Sequence, residues 1–400
     1  MLATAIFYLV FGITLIIIVA HLSLVSGLFV NRLRDRSMLR WMKKNPDLKK
    51  LLEEENIRLS VIVSSKDEEK NLPFLLESLE NQAYGDFEIV LINDRSKDAT
   101  LDILKAFKGK HGDRVKIIDN REEPVGCNPK QFALDLGITR AEGNLFLFTD
   151  ADCILPHHWT EYYLYYFARF RKIRTLLGKR VGLLFGQILV RHDNSFLQRY
   201  QKFDQMLIHQ YNSGSAGMGL LTGCFGNNLA IEKELLDIIG GFRALGYTPT
   251  EDAALLGAAG KVRGWTGRVA SLEEMAVRPA PQATWRDFFI QHIRWNTGGF
   301  YADDLASRIS YRSVVLYLVI SIILLPLAFF HPFLFIMPAT SFVFPGLLGM
   351  TAGLLYYDNR VGFLLRFIPY MIFFMLFYSL VTVLAMFKVK VKWKDSEIKL

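Results

Sequence analysis

Apolar and polar positions along the chain fall into three regimes. Residues 1–30 contain no Asp, Glu, Lys or Arg, and neither do residues 313–357 or 367–387. About 20 apolar residues in a helix span a bilayer, so 1–30 predicts one N-terminal transmembrane helix. The uncharged stretch 313–357 is long enough for two segments, broken near His331-Pro332 or Pro338, and 362–387 supplies a third with Arg366 near one end. The chain between them, roughly 51–310, has the mixed pattern of a soluble α/β domain and the length to bury its own core.

Within that middle part, RLSVIVS (58–64), FEIVLI (87–92), VKIID (115–119) and LFLFT (145–149) are β-rich apolar runs. Helical patterns cover Leu72 to Leu79 and about 99–108. Strand alternating with helix predicts a mostly parallel, Rossmann-like sheet with right-handed crossovers. Ligands of such sheets bind at the carboxyl ends of the strands. Asp94 and the pair Asp150/Asp152 each lie just past a strand's end.

Charge and cysteine content refine this picture. Residues 31–50 carry eight Lys/Arg against two Asp. The positive-inside rule therefore puts the middle domain in the cytoplasm and the N-terminus outside. The absence of a basic n-region and of a small-residue cleavage site argues against a signal peptide. The net charge of +8 is concentrated beside the membrane, where it suits anionic headgroups. No nucleic-acid-binding motif accompanies it, so no nucleic-acid partner is expected. Cys127, Cys153 and Cys224 have no CxxC or zinc spacing and read as reduced thiols.

Several residues carry candidate chemistry. Asp150 and Asp152 on one turn can share a hard cation through oxygen, and such a cation neutralises a departing diphosphate. Asp94 is placed for a nucleotide base or ribose, and Asp98, four residues on, for capping the next helix. Lys130 opens the helix before the fourth strand and can reach a donor phosphate. Thr250-Glu251-Asp252 opens a small-residue helix, where an acidic pair also complements the macrodipole. A functional reading makes Asp252 a general base. Gln291, Arg294 and Trp295 share one face of a helix starting near Trp285; an interfacial aromatic–basic helix has the same look.

Taken together, these pieces resemble the membrane-bound family 2 glycosyltransferases, the group of cellulose, chitin and hyaluronan synthases and ceramide glucosyltransferase. VIVSSKDEEKNLPFLLESLENQAYGDFEIVLINDRSKDAT resembles the family's first nucleotide-binding stretch. FTDADC carries its Asp-x-Asp, TED its catalytic acid and QHIRW its Gln-x-x-Arg-Trp signature, in the family's order over about 57–300. The resemblance implies a GT-A catalytic domain and an inverting transfer from a nucleotide sugar, UDP-linked in the first instance. It implies donor contacts from Asp94, Lys130, Asp150, Asp152, Gln291, Arg294 and Trp295. Mg²⁺ or Mn²⁺ would sit on Asp152 with Asp150, and Asp252 would be the base. Gly223, Cys224, Glu251 and Trp295 would face the acceptor. Ser64-Ser65-Lys66-Asp67 departs from the family's Pro-x-x-Asn, which leaves the early loop's donor contacts less defined.

The expected organisation is a transmembrane helix over 1–30, a basic juxtamembrane linker over 31–56 and a catalytic domain over 57–284. An interfacial helix over 285–311, two or three membrane segments over 312–387 and a basic cytoplasmic tail over 388–400 follow. A cytoplasmic tail requires one non-spanning segment, expected at 333–356, which holds Pro338 and Pro345. The expected protein is an integral membrane enzyme of a bacterial inner membrane, with a lipid or lipid-linked acceptor. The alternative is a processive polysaccharide synthase, which would need oligomerisation or a secretion partner to form a pore. A nucleotidyltransferase would want a glycine-rich basic loop where SSKDEEKN stands, and a transporter would want ionisable residues in its membrane segments.

Overall fold

The structure, a computed structural model, describes residues 2–191, 194–302, 305–356, 359–389, 392–393 and 396–397. The greater part of the expected basic tail lies outside them. In chain order the elements are α1 (Leu2–Lys44), α2 (Leu48–Glu54), β1 (Leu59–Ser65), α3 (Leu72–Glu80), β2 (Glu88–Asp94), α4 (Thr100–His111), β3 (Val115–Asn120), α5 (Pro129–Arg140), β4 (Leu145–Asp150) and β5 (Cys153–Ile154). Then come α6 (Trp159–Lys172), β6 (Arg180–Phe185), α7 (Phe196–Gly217), β7 (Leu229–Glu232), α8 (Lys233–Ile239), α9 (Glu251–Lys261), β8 (Trp265–Val269) and β9 (Arg278–Pro279). The last four helices are α10 (Trp285–Phe300), α11 (Leu305–Ala328), α12 (Ile336–Tyr356) and α13 (Arg360–Met386).

The chain divides into two compact units, one of residues 31–192 and 223–281, the other of residues 1–30, 193–222 and 282–400. The first unit is built on a seven-stranded sheet in the order β3-β2-β1-β4-β7-β6-β8. Strands β1 to β4 are mutually parallel, β7 runs antiparallel to both neighbours, and β6 is parallel to β8. The fold is therefore α/β with a mostly parallel sheet. The central strands are apolar on both faces: Val61, Ile62, Val63, Val90, Leu91, Phe146 and Leu147 are all buried. Helix-covered parallel strands read as continuous apolar runs for this reason.

The four strands expected from the sequence are β1 to β4, while β6, β7 and β8 complete the sheet without having been anticipated. Over the basic stretch 31–56, α1 continues unbroken to Lys44 and α2 follows. Leu, Arg, Met and Lys are good helix formers. The helix stops just before Asn45, whose backbone the following Pro46 biases away from the α region. Residues 193–222, which include α7, group with the second unit.

Among the described residues, four helices are long and apolar enough to cross a membrane: Ile6–Lys44, Arg308–Ala328, Pro332–Leu355 and Arg360–Met386. The segment expected to be re-entrant, 333–356, forms a helix of 21 residues from Ile336 that keeps Pro345 inside it. At 1.5 Å per residue that is about 31 Å, close to a hydrocarbon core. Hydrogen bonds link these helices, as apolar surroundings favour. Tyr317 Oη donates to Thr14 Oγ1 at 3.1 Å, and Ser321 and Ser341 hydroxyls meet at 2.8 Å.

Candidate functional site

The order β2-β1-β4 reverses the direction of winding, and open α/β sheets place ligands outside the strands' carboxyl ends at that switch. Asp150 closes β4 there, in register with Ser64 of β1. Because β7 is antiparallel to β4, its amino end arrives at the same edge, preceded by the short turn Gly226–Asn228. The first turns of α5 and α9 reach this edge as well, bringing Lys130, Glu251 and Asp252.

An interlocked cap fixes α5 to the loop before α9. Asn128 accepts from the Gln131 N–H at 2.8 Å, and Gln131 Oε1 accepts from the Asn128 N–H at 3.0 Å. The remaining amide donors face outward: Asn128 Nδ2 donates to Thr248 O at 2.7 Å, and Gln131 Nε2 to Phe242 O and Gly246 O. One capping box thus holds both the lysine and the acidic pair in place. Neither Asn128 nor Gln131 was singled out by sequence; the Asn-Pro-x-Gln spacing was the available signal.

Lys130 Nζ bridges Asp150 Oδ1 at 2.8 Å and Glu251 Oε1 at 2.9 Å. Burial opposes its charge, but the two carboxylates more than offset this and raise its affinity for the proton. Asp252 Oδ2 accepts from the Gly226 N–H at 2.9 Å and Oδ1 from the Ala253 N–H at 2.8 Å. Burial, then the adjacent Glu251 charge, push its carboxyl up to about 6, against the pull of Lys130 and the two N–H donors. These groups line a small cleft, partly open to solvent, together with Thr149 and Phe148. Cys224 lies within the field of Asp252 and Glu251; burial and those charges raise its thiol well above the usual value. Gly223 directly precedes it.

Asn228 anchors the turn before β7. Its Oδ1 accepts from Trp159 Nε1 at 2.8 Å and from Tyr163 Oη at 2.9 Å, while its Nδ2 donates to Gln187 O and Met275 O. Asp152 is fastened through its backbone carbonyl, which accepts from Arg191 and from the Ala280 N–H. Cys153 Sγ is 3.5 Å from Asp152 Oδ1.

Asp94, at the end of β2, is buried and heavily engaged. Its Oδ1 accepts from Arg95 Nε at 2.9 Å and from Asn120 Nδ2 at 2.8 Å, and its Oδ2 accepts from Arg95 at 3.1 Å. Arg95 also pairs with Glu123. Its φ of 57° is a left-handed conformation that is uncommon away from glycine and often marks a functional turn. Arg95 was not anticipated. Asp98 binds the Thr100 and Glu69 N–H groups, lacing the loops after β1 and β2 together.

Gln291, Arg294 and Trp295 lie on the half-open face of α10 in the helical unit. Lys130, Asp150, Glu251 and Asp252 are gathered in one cleft of the α/β unit, with Asp152 two residues beyond the strand.

The donor set suits a hard divalent cation. Among the described residues, four carboxylates at this edge (Asp150, Asp152, Glu251, Asp252) outnumber the ammonium of Lys130, so an anionic diphosphate needs added positive charge. Among the described residues no group of three His, Cys, Asp or Glu side chains forms a metal cage of its own. One or two carboxylates completed by substrate phosphates and water is the usual arrangement for Mg²⁺.

The profile of the family described as "Glycosyl transferase family 2" matches residues 60–221, and that described as "Glycosyl transferase family group 2" matches 145–387, more than half of the chain. The chain is 22% identical over 302 residues to the probable glycosyltransferase YdaM of Bacillus subtilis, covering 74% of this chain and 66% of that one. It is 32% identical over 106 residues to the dolichyl-phosphate beta-glucosyltransferase of Drosophila melanogaster, covering 24% and 31%. The matches thus span less than two thirds of the length of these relatives. Among solved structures it is similar to the mannosyltransferase PcManGT from Pyrobaculum calidifontis in complex with GDP-Man and Mn²⁺, with a TM-score of 0.50 and 17% identity over 95% of this chain and 99% of that one. At that identity the likeness is one of fold.

Proposed function

Because this chain belongs to the family 2 glycosyltransferases, we propose that it transfers one sugar from a nucleoside-diphosphate donor to a hydroxyl of a lipid or lipid-linked acceptor at a membrane surface. The observation that carries this reading is the position of Asp252. Its carboxylate is fixed by two backbone N–H groups in a cleft shared with Asp150 and Lys130, at the carboxyl edge of the sheet.

In this reading Asp252 takes the proton of the acceptor hydroxyl as the oxygen bonds to the anomeric carbon. The carbon–oxygen bond to the diphosphate breaks on the opposite face, and its electron pair leaves with the diphosphate. Configuration is inverted, and no enzyme nucleophile is needed. Asp150 and Asp152 would hold a divalent cation, which supplies charge neutralisation to the departing diphosphate. Asp94 would receive the nucleoside, and Gln291, Arg294 and Trp295 the diphosphate and the acceptor. Gly223, Cys224 and Glu251 lie on the acceptor side. The Lys/Arg excess over 31–50 supports a cytoplasmic face for the catalytic unit, and the four apolar helices would anchor it.

The test uses the full chain in lipid nanodiscs with Mn²⁺, a membrane lipid extract and a panel of labelled UDP- and GDP-sugars. A single labelled sugar on a lipid supports the proposal. A ladder of polymer would point to a processive synthase, and no transfer from any donor would overturn both.

A further inference from the structure

Helix α10 has two faces of different character. His292, Ile293, Asn296, Thr297 and Phe300 are buried, while Gln291, Arg294 and Trp295 remain partly open. The buried face carries a polar network that the transfer reaction does not use. His292 Nε2 lies 2.9 Å from Asp204 Oδ2 on α7, and Tyr378 Oη on α13 donates to Asp204 Oδ1 at 2.9 Å. One turn further along α10, Asn296 Oδ1 accepts from Tyr311 on α11 at 2.5 Å and from Thr382 on α13 at 3.3 Å, while its Nδ2 donates to His292 O. Asp204 and His292 are essentially inaccessible to solvent.

The surroundings make this network unusual. The His292 ring packs against Phe288 at 4.1 Å, Phe377 at 5.0 Å and Trp295 at 4.9 Å between centroids. Aromatic packing of this kind is adaptable and would tolerate several rotations of α10. Hydrogen bonds are directional, and a buried carboxylate is costly unless its donors are met. An Asp–His pair in this position therefore selects one rotation and one depth for the helix, at the expense of stability that an apolar core would supply.

We propose that Asp204, His292 and Asn296 are positioning residues: they fix the rotation and depth of α10, and so the direction in which Gln291, Arg294 and Trp295 point. The proposal rests on the reading of those three residues as contacts of the diphosphate and the acceptor. His292 acts on Trp295 most directly, since their rings touch.

The experiment compares four variants of the full chain in lipid nanodiscs, each measured for kcat, donor KM and melting temperature. His292→Phe keeps the ring packing and loses the link to Asp204. The double variant D204L/H292F replaces the pair by apolar groups and so retains a folded bundle even where the single variant is unstable. H292Q can again donate to Asp204, and Arg294→Ala is the reference for the motif itself. The expected result is a fall in kcat of about 10- to 100-fold for H292F and D204L/H292F, the scale of a misplacement of roughly 1 Å. The melting temperature of D204L/H292F is at or above that of H292F, which leaves a buried carboxylate short of a donor, and H292Q recovers most of the rate. If R294A loses transfer while D204L/H292F is folded and fully active, the positioning role is wrong and the functional reading stands. If R294A is itself fully active, the reading of the motif fails, and the proposal fails with it.

Discussion

Asp252 and Gly226, twenty-six positions apart, are joined by a hydrogen bond of 2.9 Å from the glycine N–H to the carboxylate. The contact depends on the glycine. A Cβ there would lie 3.0 Å from Asp252 Cβ and 3.1 Å from Oδ2, so any larger residue pushes the carboxylate aside. Asp252→Asn should therefore lower transfer by about 10²- to 10⁴-fold, the usual worth of a general base. Donor binding, measured calorimetrically, should persist. Gly226→Ala should lower the rate by about tenfold through displacement alone. Wild-type turnover in the asparagine variant would sink the assignment of Asp252.

The pH dependence follows from the same carboxyl, which burial and Glu251 push up to about 6. A base must be unprotonated, so kcat/KM should fall about tenfold per pH unit below about 6 and level off above about 7. Glu251→Gln removes one of the raising charges, and the acid limb should move to lower pH. Stability has the opposite sign. The folded chain holds this proton more tightly than the unfolded one, whose carboxyl sits at 3.8. The group's contribution is present below pH 3.8 and lost as pH rises through about 6. Asp252→Asn should thus raise the melting temperature, relative to wild type, more at pH 7.5 than at pH 4.

Cation dependence is the third expectation. Among the described residues that line the cleft, Lys130 is the one ammonium, so the donor diphosphate needs a metal partner. EDTA should abolish transfer, and Mn²⁺ or Mg²⁺ should restore it. Asp152→Asn should raise the metal concentration for half-maximal rate, measured by titration at saturating donor. Activity that persists in EDTA would exclude the metal assignment.

How much of this was legible in the sequence depended on the range of the interaction. Asp94 and Asp150 could be placed at strand ends because β2 and β4 are uninterrupted apolar runs bounded by polar turns. β7 was missed because it has four residues, too few to display a period. The same is true of the antiparallel step it introduces, which delivers Gly226 to the site. Lys130 could be suspected, but its pairing with Glu251 spans more than a hundred residues and is set by the side chains of Asn128 and Gln131. The extension of α1 to Lys44 was hidden by its charge: a run of Lys and Arg suggests solvent, yet those residues favour helix and leave one face to pack. Met38 and Asp35 are buried there, and Asp35 accepts from Tyr166 and from the Ser271 N–H within the α/β unit.

The last prediction concerns the crossing of α1 with α7 in the helical unit. A Cβ on Gly27 would sit 1.9 Å from Gly214 O, and one on Gly217 would sit 1.8 Å from Gly27 O. The two backbones are therefore in direct apposition, as small residues permit between closely packed helices. His21 Nε2 lies 3.1 Å from Tyr211 Oη beside the crossing, adding a polar link. Because the obstruction is backbone, no rotamer change can relieve it, and the helices must separate. Gly27→Ala should cost about 1–3 kcal/mol, the usual scale of overpacking, seen as a lower melting temperature in detergent. Gly12, on the same helix, has nothing within 4 Å of its added Cβ, and Gly12→Ala should leave melting unaltered or slightly raised, since alanine favours helix. Equal melting of the two variants would mean that α1 and α7 do not meet at Gly27.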